Sequence, residues 1–220
     1  MGHPVSLSTP SGRISGWRAD PPNPPKALLL VIQEIFGVNA HIRHVVERFA
    51  AHGYIAVAPA FFDHFGHHIE PPYDADGVAH GRELVDTLGF ERVLGDLAGI
   101  EEDLRSDYKI GVVGYCWGGT VAYLANAQLG LPAVSYYGAR TFDLLPQRLQ
   151  APMEFHFGEQ DPLIPPEHVA AHHEAHPNAA IYTYPAGHGF NCDERPGYHA
   201  ESAAIAIDRA LNFFSRVLKN

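Results

Sequence analysis

The sequence predicts an α/β fold in which a mostly parallel central sheet is flanked by helices on both faces. Continuous apolar runs such as Ala27–Ile32 are typical of strands that are buried on both faces of a parallel sheet. Segments in which apolar residues recur at helical spacing follow most of these runs. Strand and helix signals alternate along almost the whole chain, and this alternation indicates a three-layer sandwich of helices around a sheet.

The amino-terminal half opens with a broken apolar alternation at Val5–Ala19, which is typical of edge strands joined by a hairpin turn. The proline-rich segment 21–25 can form only a loop. Apolar residues from Ile42 to Ala50 recur at helical spacing, and Gly53 stands where the C-cap of that helix is expected. The elements predicted after the hairpin are a strand, a helix, a strand, an irregular segment and a helical region: Ala27–Ile32, His41–His52, Tyr54–Ala58, Phe61–Asp76 and Val78–Leu104.

The carboxy-terminal half continues the alternation. Its predicted elements are a strand, a helix, three strands and a closing amphipathic helix: Ile110–Gly114, Gly119–Leu129, Ala133–Tyr137, Met153–Gly158, Ala180–Tyr184 and Ala200–Leu218. The 220 residues contain no internal repeat, linker or low-complexity tract, and this length can bury one core without disulfides or metals. We therefore expect one domain that covers residues 1–220.

Composition and charge exclude several classes of partner. The formal net charge of −10 repels nucleic acid and anionic membrane surfaces. The amino terminus has no basic run followed by an apolar stretch, and no window approaches the ~18 apolar residues that span a bilayer. Without an export signal, Cys116 and Cys192 are expected to be free thiols. We expect a cytoplasmic protein that is a monomer or a small homo-oligomer.

Cys116 stands in the sharpest motif of the chain. Residues 114–119 read GYCWGG, a cysteine version of the G-x-S-x-G turn that presents a nucleophile between a buried strand and a helix. Small residues must flank the nucleophile in so tight a turn, and the positive end of the helix favours a thiolate and an oxyanion there. The alternative is a buried structural cysteine in a glycine-rich turn. The flanking glycines and the strand–helix context favour the nucleophile.

An acid and a base follow Cys116 in the order acid, then histidine, which is the order found with such nucleophile turns. Asp161 lies in a turn-rich loop after the strand Met153–Gly158, and His188 lies in a glycine-bracketed loop after the strand Ala180–Tyr184. Alone, Asp161 is explained equally well as a turn former or helix N-cap, and His188 is one of 15 histidines. Their shared position after predicted strands favours a catalytic Cys-Asp-His set.

Over essentially the whole chain, the sequence resembles the dienelactone hydrolase family, which has the α/β-hydrolase fold. The resemblance rests on GYCWGG, on Gln160 followed by Asp161, on GHGF at residues 187–190, and on QEIFG at residues 33–37. It implies that Glu34 lies beside the thiol. It also implies that the backbone N–H groups of Ile35 and Trp117 form an oxyanion hole.

If Cys116 occupies a nucleophile turn, Phe36 and Trp117 are expected to line the mouth of the active site. Tyr137 belongs to a stretch that is also similar to the family, and it is a further candidate for substrate binding. The alternatives remain open, because Phe36 and Trp117 can also fill the core and Tyr137 can be an ordinary strand residue. Glu34 can likewise be a salt-bridged loop carboxylate.

The resemblance weakens where the family binds a substrate carboxylate. Its members hold that group with arginines, one of them a few residues after the catalytic histidine, where residues 191–193 of this chain read NCD. Arg82, Arg140 and Arg195 are candidates to replace that arginine, although each is also typical of a protein surface. We therefore expect neutral esters or lactones to be preferred to the anionic dienelactone.

No cofactor or metal is predicted. His168 and His172 have a spacing of one helical turn, which can hold a metal, but no recognised metal motif surrounds them. The predicted chemistry is attack by Cys116 on a small ester or lactone and hydrolysis of the thioester by water that His188 activates. Two alternatives stay open: a general carboxylesterase or thioesterase on the same scaffold, and a non-catalytic α/β-hydrolase scaffold that binds a small ligand or a partner.

Overall fold

Strands and helices alternate along residues 1–219, the part of the chain that the computed structural model describes. The predicted α/β class is therefore confirmed. The residues group into two units, Met1–Gly111 and Val112–Lys219. The expected single domain over residues 1–220 stays a prediction, and its last residue lies outside the described part of the chain.

The first unit contains four strands in the order β1-β2-β4-β3. β1 (His3–Thr9) and β2 (Gly12–Ala19) form the predicted antiparallel hairpin. β2 pairs antiparallel with β4 (Ile55–Pro59), which in turn pairs parallel with β3 (Leu28–Ile32). All residues of β3 and β4 are buried, as their continuous apolar sequences predict.

Three α-helices belong to the first unit: α1 (Ala40–Ala51), α2 (Ala75–Leu88) and α3 (Phe90–Leu104). The sequence predicted one helical region from Val78 to Leu104, but Gly89 divides it because its φ of 71° is left-handed. α2 also begins earlier than predicted, because the side chain of Asp74 accepts a hydrogen bond from the backbone N–H of Gly77 and caps the helix.

The second unit contains parallel strands in the order β5-β6-β7-β8. The four strands are β5 (Ile110–Tyr115), β6 (Ala133–Tyr136), β7 (Met153–Gly158) and β8 (Ala180–Tyr184), and β5 belongs to this unit from Val112 onward. The three helices of the described residues are α4 (Trp117–Leu129), α5 (Pro166–Ala175) and α6 (Ala200–Val217). Parallel strands have their carboxyl ends at the same edge of a sheet. The loops that carry Cys116, Asp161 and His188 leave this edge after β5, β7 and β8.

Three details of the second unit differ from the sequence prediction. α4 begins at Trp117 rather than Gly119, directly after the nucleophile turn. β6 ends at Tyr136, because the next residue, Tyr137, has a left-handed φ of 41°. α5 follows from none of the sequence patterns, because His172 is the only buried residue in its ten positions and no apolar stripe marks it.

The remaining regular elements are two 3-10 turns, Phe61–His64 and Ala139–Leu144. The first lies inside the segment Phe61–Asp76 that the sequence predicted to be irregular. Within residues 1–219, every helix is too short or too polar to cross a membrane.

Candidate active site

Cys116 occupies a strained position between β5 and α4. Its φ of 54° and ψ of −116° are unusual for a residue with a side chain, and such conformations cost about 1–3 kcal/mol. The flanking glycines make the turn possible, because a Cβ on Gly114 would lie 1.8 Å from the carbonyl oxygen of Gly118. A Cβ on Gly119 would lie 2.7 Å from the carbonyl oxygen of Tyr136. The turn therefore has the tight geometry that its sequence predicts.

The structure brings Cys116, His188 and Asp161 together at the carboxyl edge of the second unit's strands. His188 Nε2 lies 3.1 Å from Cys116 Sγ, and His188 Nδ1 lies 2.7 Å from Asp161 Oδ2. The other carboxylate oxygen, Oδ1, accepts a hydrogen bond of 2.9 Å from the backbone N–H of Leu163. Both oxygens of Asp161 are therefore engaged, and its orientation toward the imidazole is fixed.

The surroundings of His188 favour its protonated form. Burial opposes protonation, but the negative charge of the Cys116 sulfur and the hydrogen bond to Asp161 outweigh burial and raise the pKa of His188 to about 10. At neutral pH the ring then carries both protons. Nδ1 donates to the carboxylate of Asp161, and Nε2 donates to the sulfur of Cys116.

Two residues predicted for the site lie close to this array. Tyr137 packs its ring edge against the ring of His188, with the ring centroids 5.1 Å apart, and its backbone N–H donates to the carbonyl oxygen of His156. Trp117 begins α4, at the end of the helix where backbone N–H groups point outward along the axis. This placement is compatible with the oxyanion role that the resemblance gives to Trp117.

The residues predicted from the QEIFG segment belong to the first unit. Glu34, Ile35 and Phe36 are all buried after the end of β3. α2 packs tightly on this segment, because a Cβ on Gly81 would lie 2.1 Å from the carbonyl oxygen of Ile35. The ring of Phe36 lies 4.5 Å from the ring of Tyr73. The predicted roles of the three residues beside Cys116 stay predictions.

The three candidate arginines occupy different environments. Arg82 is exposed on α2, and Arg140 is exposed in the 3-10 turn Ala139–Leu144. Arg195 is half-buried, and its Nη1 lies only 2.6 Å from the position of a Cβ built on Gly189. The guanidinium of Arg195 therefore lies against the residue that follows His188.

A buried polar network that the sequence did not predict fixes the start of the His188 loop. His156 Nε2 lies 2.9 Å from Glu154 Oε1, and His156 Nδ1 lies 2.7 Å from the hydroxyl of Tyr184, to which Arg209 Nη1 also donates. Burial lowers the pKa of His156. The neutral ring then donates from Nε2 to Glu154 and accepts the Tyr184 hydroxyl proton at Nδ1. Because Tyr184 ends β8, this network holds the strand end from which the loop departs.

The sequence contained a signal for that network. Glu154 and His156 are alternate residues of an otherwise apolar strand, so both point to one face and must find partners there.

The histidines of α5 are held by structural contacts. His172 Nε2 lies 2.8 Å from the Thr141 hydroxyl, and His172 Nδ1 lies 2.6 Å from the carbonyl oxygen of His168. Burial lowers the pKa of His172 to about 4, which favours the neutral ring. The ring of His168 stacks on Phe142 at 3.8 Å. Within residues 1–219, no group of three side chains is arranged to hold a metal.

Comparisons with known proteins point to one family. The model of the dienelactone hydrolase family matches residues 14–218. The carboxymethylenebutenolidase of Pseudomonas putida is 32% identical over 226 residues, which cover 96% of this chain and 95% of the relative.

Solved structures agree with that match. A protein of Klebsiella pneumoniae, provisionally named a dienelactone hydrolase, has a TM-score of 0.85 and 30% identity, and the match covers 98% of this chain and 99% of the other. The dienelactone hydrolase of Anabaena variabilis has a TM-score of 0.71 at 17% identity, with 100% and 99% of the two chains covered, and this likeness concerns the fold alone.

Proposed function

Since the chain belongs to the dienelactone hydrolase family and is therefore a hydrolase of ester bonds, we propose that it cleaves small neutral esters or lactones through a thioester on Cys116. The observation that carries the proposal is the array in which His188 lies between Cys116 Sγ at 3.1 Å and Asp161 Oδ2 at 2.7 Å. A nucleophile, a base and an orienting carboxylate in this order are the parts that covalent acyl transfer requires.

In the first step, the sulfur of Cys116 forms a bond to the carbonyl carbon, and the π electron pair moves onto the carbonyl oxygen. The raised pKa of His188 supports attack as a thiolate, because the ring holds a proton at neutral pH. By resemblance, Glu34 lies beside the thiol. A carboxylate there repels the negative charge of the sulfur and so lowers, without abolishing, the reactivity of the resting Cys116 until substrate is bound.

The tetrahedral intermediate needs hydrogen-bond donors at its oxyanion. The backbone N–H groups of Ile35 and Trp117 are the proposed donors. The position of Trp117 at the start of α4 supports its part of this assignment, because the positive end of a helix stabilises negative charge.

The intermediate collapses when the carbon–oxygen bond to the leaving group breaks and His188 Nε2 gives its proton to that oxygen. An ester releases an alcohol at this point, whereas a lactone opens its ring and stays attached as a hydroxyacyl thioester. The neutral His188 then takes a proton from water, which attacks the thioester and frees the acid and Cys116. Asp161 keeps the proton of the ring on Nδ1, so that Nε2 can act as the base.

The preference for neutral substrates follows from the charges around the site. The net charge of −10 repels an anionic substrate at long range. By resemblance, Asn191 and Cys192 stand where the family has an arginine, and both residues are uncharged and buried. The guanidinium of Arg195 lies against the His188 loop. Removing Arg195 therefore tests whether it replaces the missing arginine in binding a substrate carboxylate.

Two kinetic experiments test the proposal. With p-nitrophenyl acetate, we expect a burst of nitrophenol equal to the enzyme concentration in the wild type and in Cys192→Ala, and no burst in Cys116→Ala. Turnover by Cys116→Ala would refute the role of the thiol. For substrate charge, kcat/KM for a dienelactone is compared with that for its methyl ester. We expect the methyl ester to be preferred, and a preference for the free acid that disappears in Arg195→Ala would contradict the expectation.

A further inference from the structure

A cavity of about 240 Å³ lies within the first unit and has no part in the proposed hydrolysis. It is bordered by β2, the ends of β3 and β4, helix α1 and the loop before α2. Its walls combine aromatic surface from Trp17 and Phe62 with polar groups from Gln33 and Asp63. The mixture of apolar area and a few polar atoms is typical of small-molecule sites.

Two acceptor atoms on the cavity wall have no donor within residues 1–219. Gln33 is fully buried, and its Nε2 donates to the carbonyl oxygen of Glu34 at 3.2 Å, whereas its Oε1 accepts no hydrogen bond. The side chain of Asp63 is 4% exposed, and its Oδ2 accepts from the backbone N–H of Ser15 at 2.7 Å and lies 3.1 Å from His67 Nδ1. The second oxygen, Oδ1, makes no such contact. Each of the two wall residues therefore carries an acceptor atom that no donor of the described residues satisfies.

The charge of the cavity is negative. Arg43 also lines it, but its Nη1 donates to the carbonyl oxygen of Val38 at 2.6 Å and to Glu70 Oε1 at 2.7 Å. The guanidinium is thus already paired with Glu70, and the carboxylate of Asp63 is left as the charge that faces the cavity. A cationic donor matches that carboxylate better than a neutral one, because a charge-assisted hydrogen bond is stronger.

We propose that this cavity binds a small primary ammonium compound with a compact apolar body. The ammonium group donates to Asp63 Oδ1 and Gln33 Oε1, and the apolar body packs against Trp17 and Phe62. The net charge of −10 also attracts cations at long range.

Benzylammonium chloride is the probe for this site, measured by calorimetry and by NMR of the tryptophan indole N–H groups. The chain has two tryptophans, so each indole signal can be assigned by single substitution. We expect one saturable binding event that shifts the signal of Trp17, which lines the cavity, and leaves that of Trp117, which adjoins Cys116. Benzyl alcohol, which has the same body without the charge, is expected to bind at least tenfold more weakly.

Two variants give the matched comparison. Asp63→Asn keeps an acceptor for Ser15 but removes the charge, and it is expected to weaken benzylammonium binding by about 10–100-fold. Asp76→Asn removes the same charge from an exposed site on α2 and is expected to leave the affinity unchanged. If Asp63→Asn does not fold, as judged by its melting curve, Gln33→Met removes the second acceptor at similar volume and is expected to weaken binding.

Three results would overturn the proposal: no saturable shift of the Trp17 signal, equal affinity in Asp63→Asn and the wild type, or a shift confined to Trp117. The last result would place the probe beside Cys116. Because no variant in this series concerns the nucleophile or its base, a negative result leaves the proposed hydrolysis intact.

Discussion

Replacing Asp161 with asparagine is expected to lower kcat for p-nitrophenyl acetate by about 10³–10⁴-fold. The charge-assisted hydrogen bond from His188 Nδ1 to Oδ2 is 2.7 Å long. Such bonds contribute about 1.5–3 kcal/mol, which corresponds to roughly 10–150-fold in rate. The remaining loss comes from the protonation state of the imidazole.

The backbone fixes how the new amide must point. The N–H of Leu163 donates to Oδ1 of Asp161 at 2.9 Å, so the amide oxygen of an asparagine stays with Leu163 and its NH₂ group faces His188. Nδ1 then has to accept a hydrogen bond, and the proton of the neutral ring moves to Nε2. A ring protonated at Nε2 cannot take a proton from water, and deacylation slows.

The assay follows the burst and the steady state separately as a function of pH. The matched control is Glu159→Gln, the same change of a carboxylate to an amide in the same loop, at an exposed residue that hydrogen-bonds Thr183. We expect the control to retain near wild-type rates. A loss of less than about tenfold in Asp161→Asn, or an equal loss in the control, would refute the assignment of Asp161 as the orienting carboxylate.

The other predictions use the same site. Cys116→Ala is expected to abolish turnover with little change in melting temperature, whereas Cys192→Ala is expected to keep most activity. Loss of activity in Cys192→Ala but not in Cys116→Ala would show that Cys192 is the nucleophile. Folding raises the pKa of His188 to about 10. The ion pair of His188 therefore contributes fully to the stability of the folded protein below pH 6.5, and this contribution is lost as the pH rises through about 10. NMR titration of His188 is expected to show this midpoint in the wild type and a lower one in Cys116→Ala, and equal midpoints would contradict the pairing. Glu34→Gln is expected to speed alkylation of the resting thiol by iodoacetamide while slowing turnover, and unchanged alkylation would remove Glu34 from the site.

The strands and the residues that follow them could be predicted from the sequence because each signal is local. β3, β5 and β7 are short runs in which every residue is buried, and such runs are typical of strands that are covered on both faces. Once the strands are placed, the loops after β5, β7 and β8 share one edge. The meeting of Cys116 with residues far along the chain follows from that topology.

Features that depend on tertiary partners could not be predicted in this way. Helix α5 has little apolar periodicity, and it is held by contacts such as that between His172 and Thr141, which are distant in sequence. The network of His156, Tyr184 and Arg209 likewise joins β7, β8 and α6, which no local pattern connects. The raised pKa of His188 depends on distances to two charges that only the folded chain defines.

Trapping the acyl-enzyme tests the central claim most directly. Wild-type protein mixed with p-nitrophenyl acetate is quenched with acid during the burst, digested and analysed by mass spectrometry, with Asp161→Asn included because its slow deacylation is expected to accumulate the intermediate. The account predicts one acetyl group on the peptide that contains Cys116 and none on the peptide that contains Cys192. Acetylation at any other residue, or full hydrolytic activity without an acetylated Cys116, would contradict it.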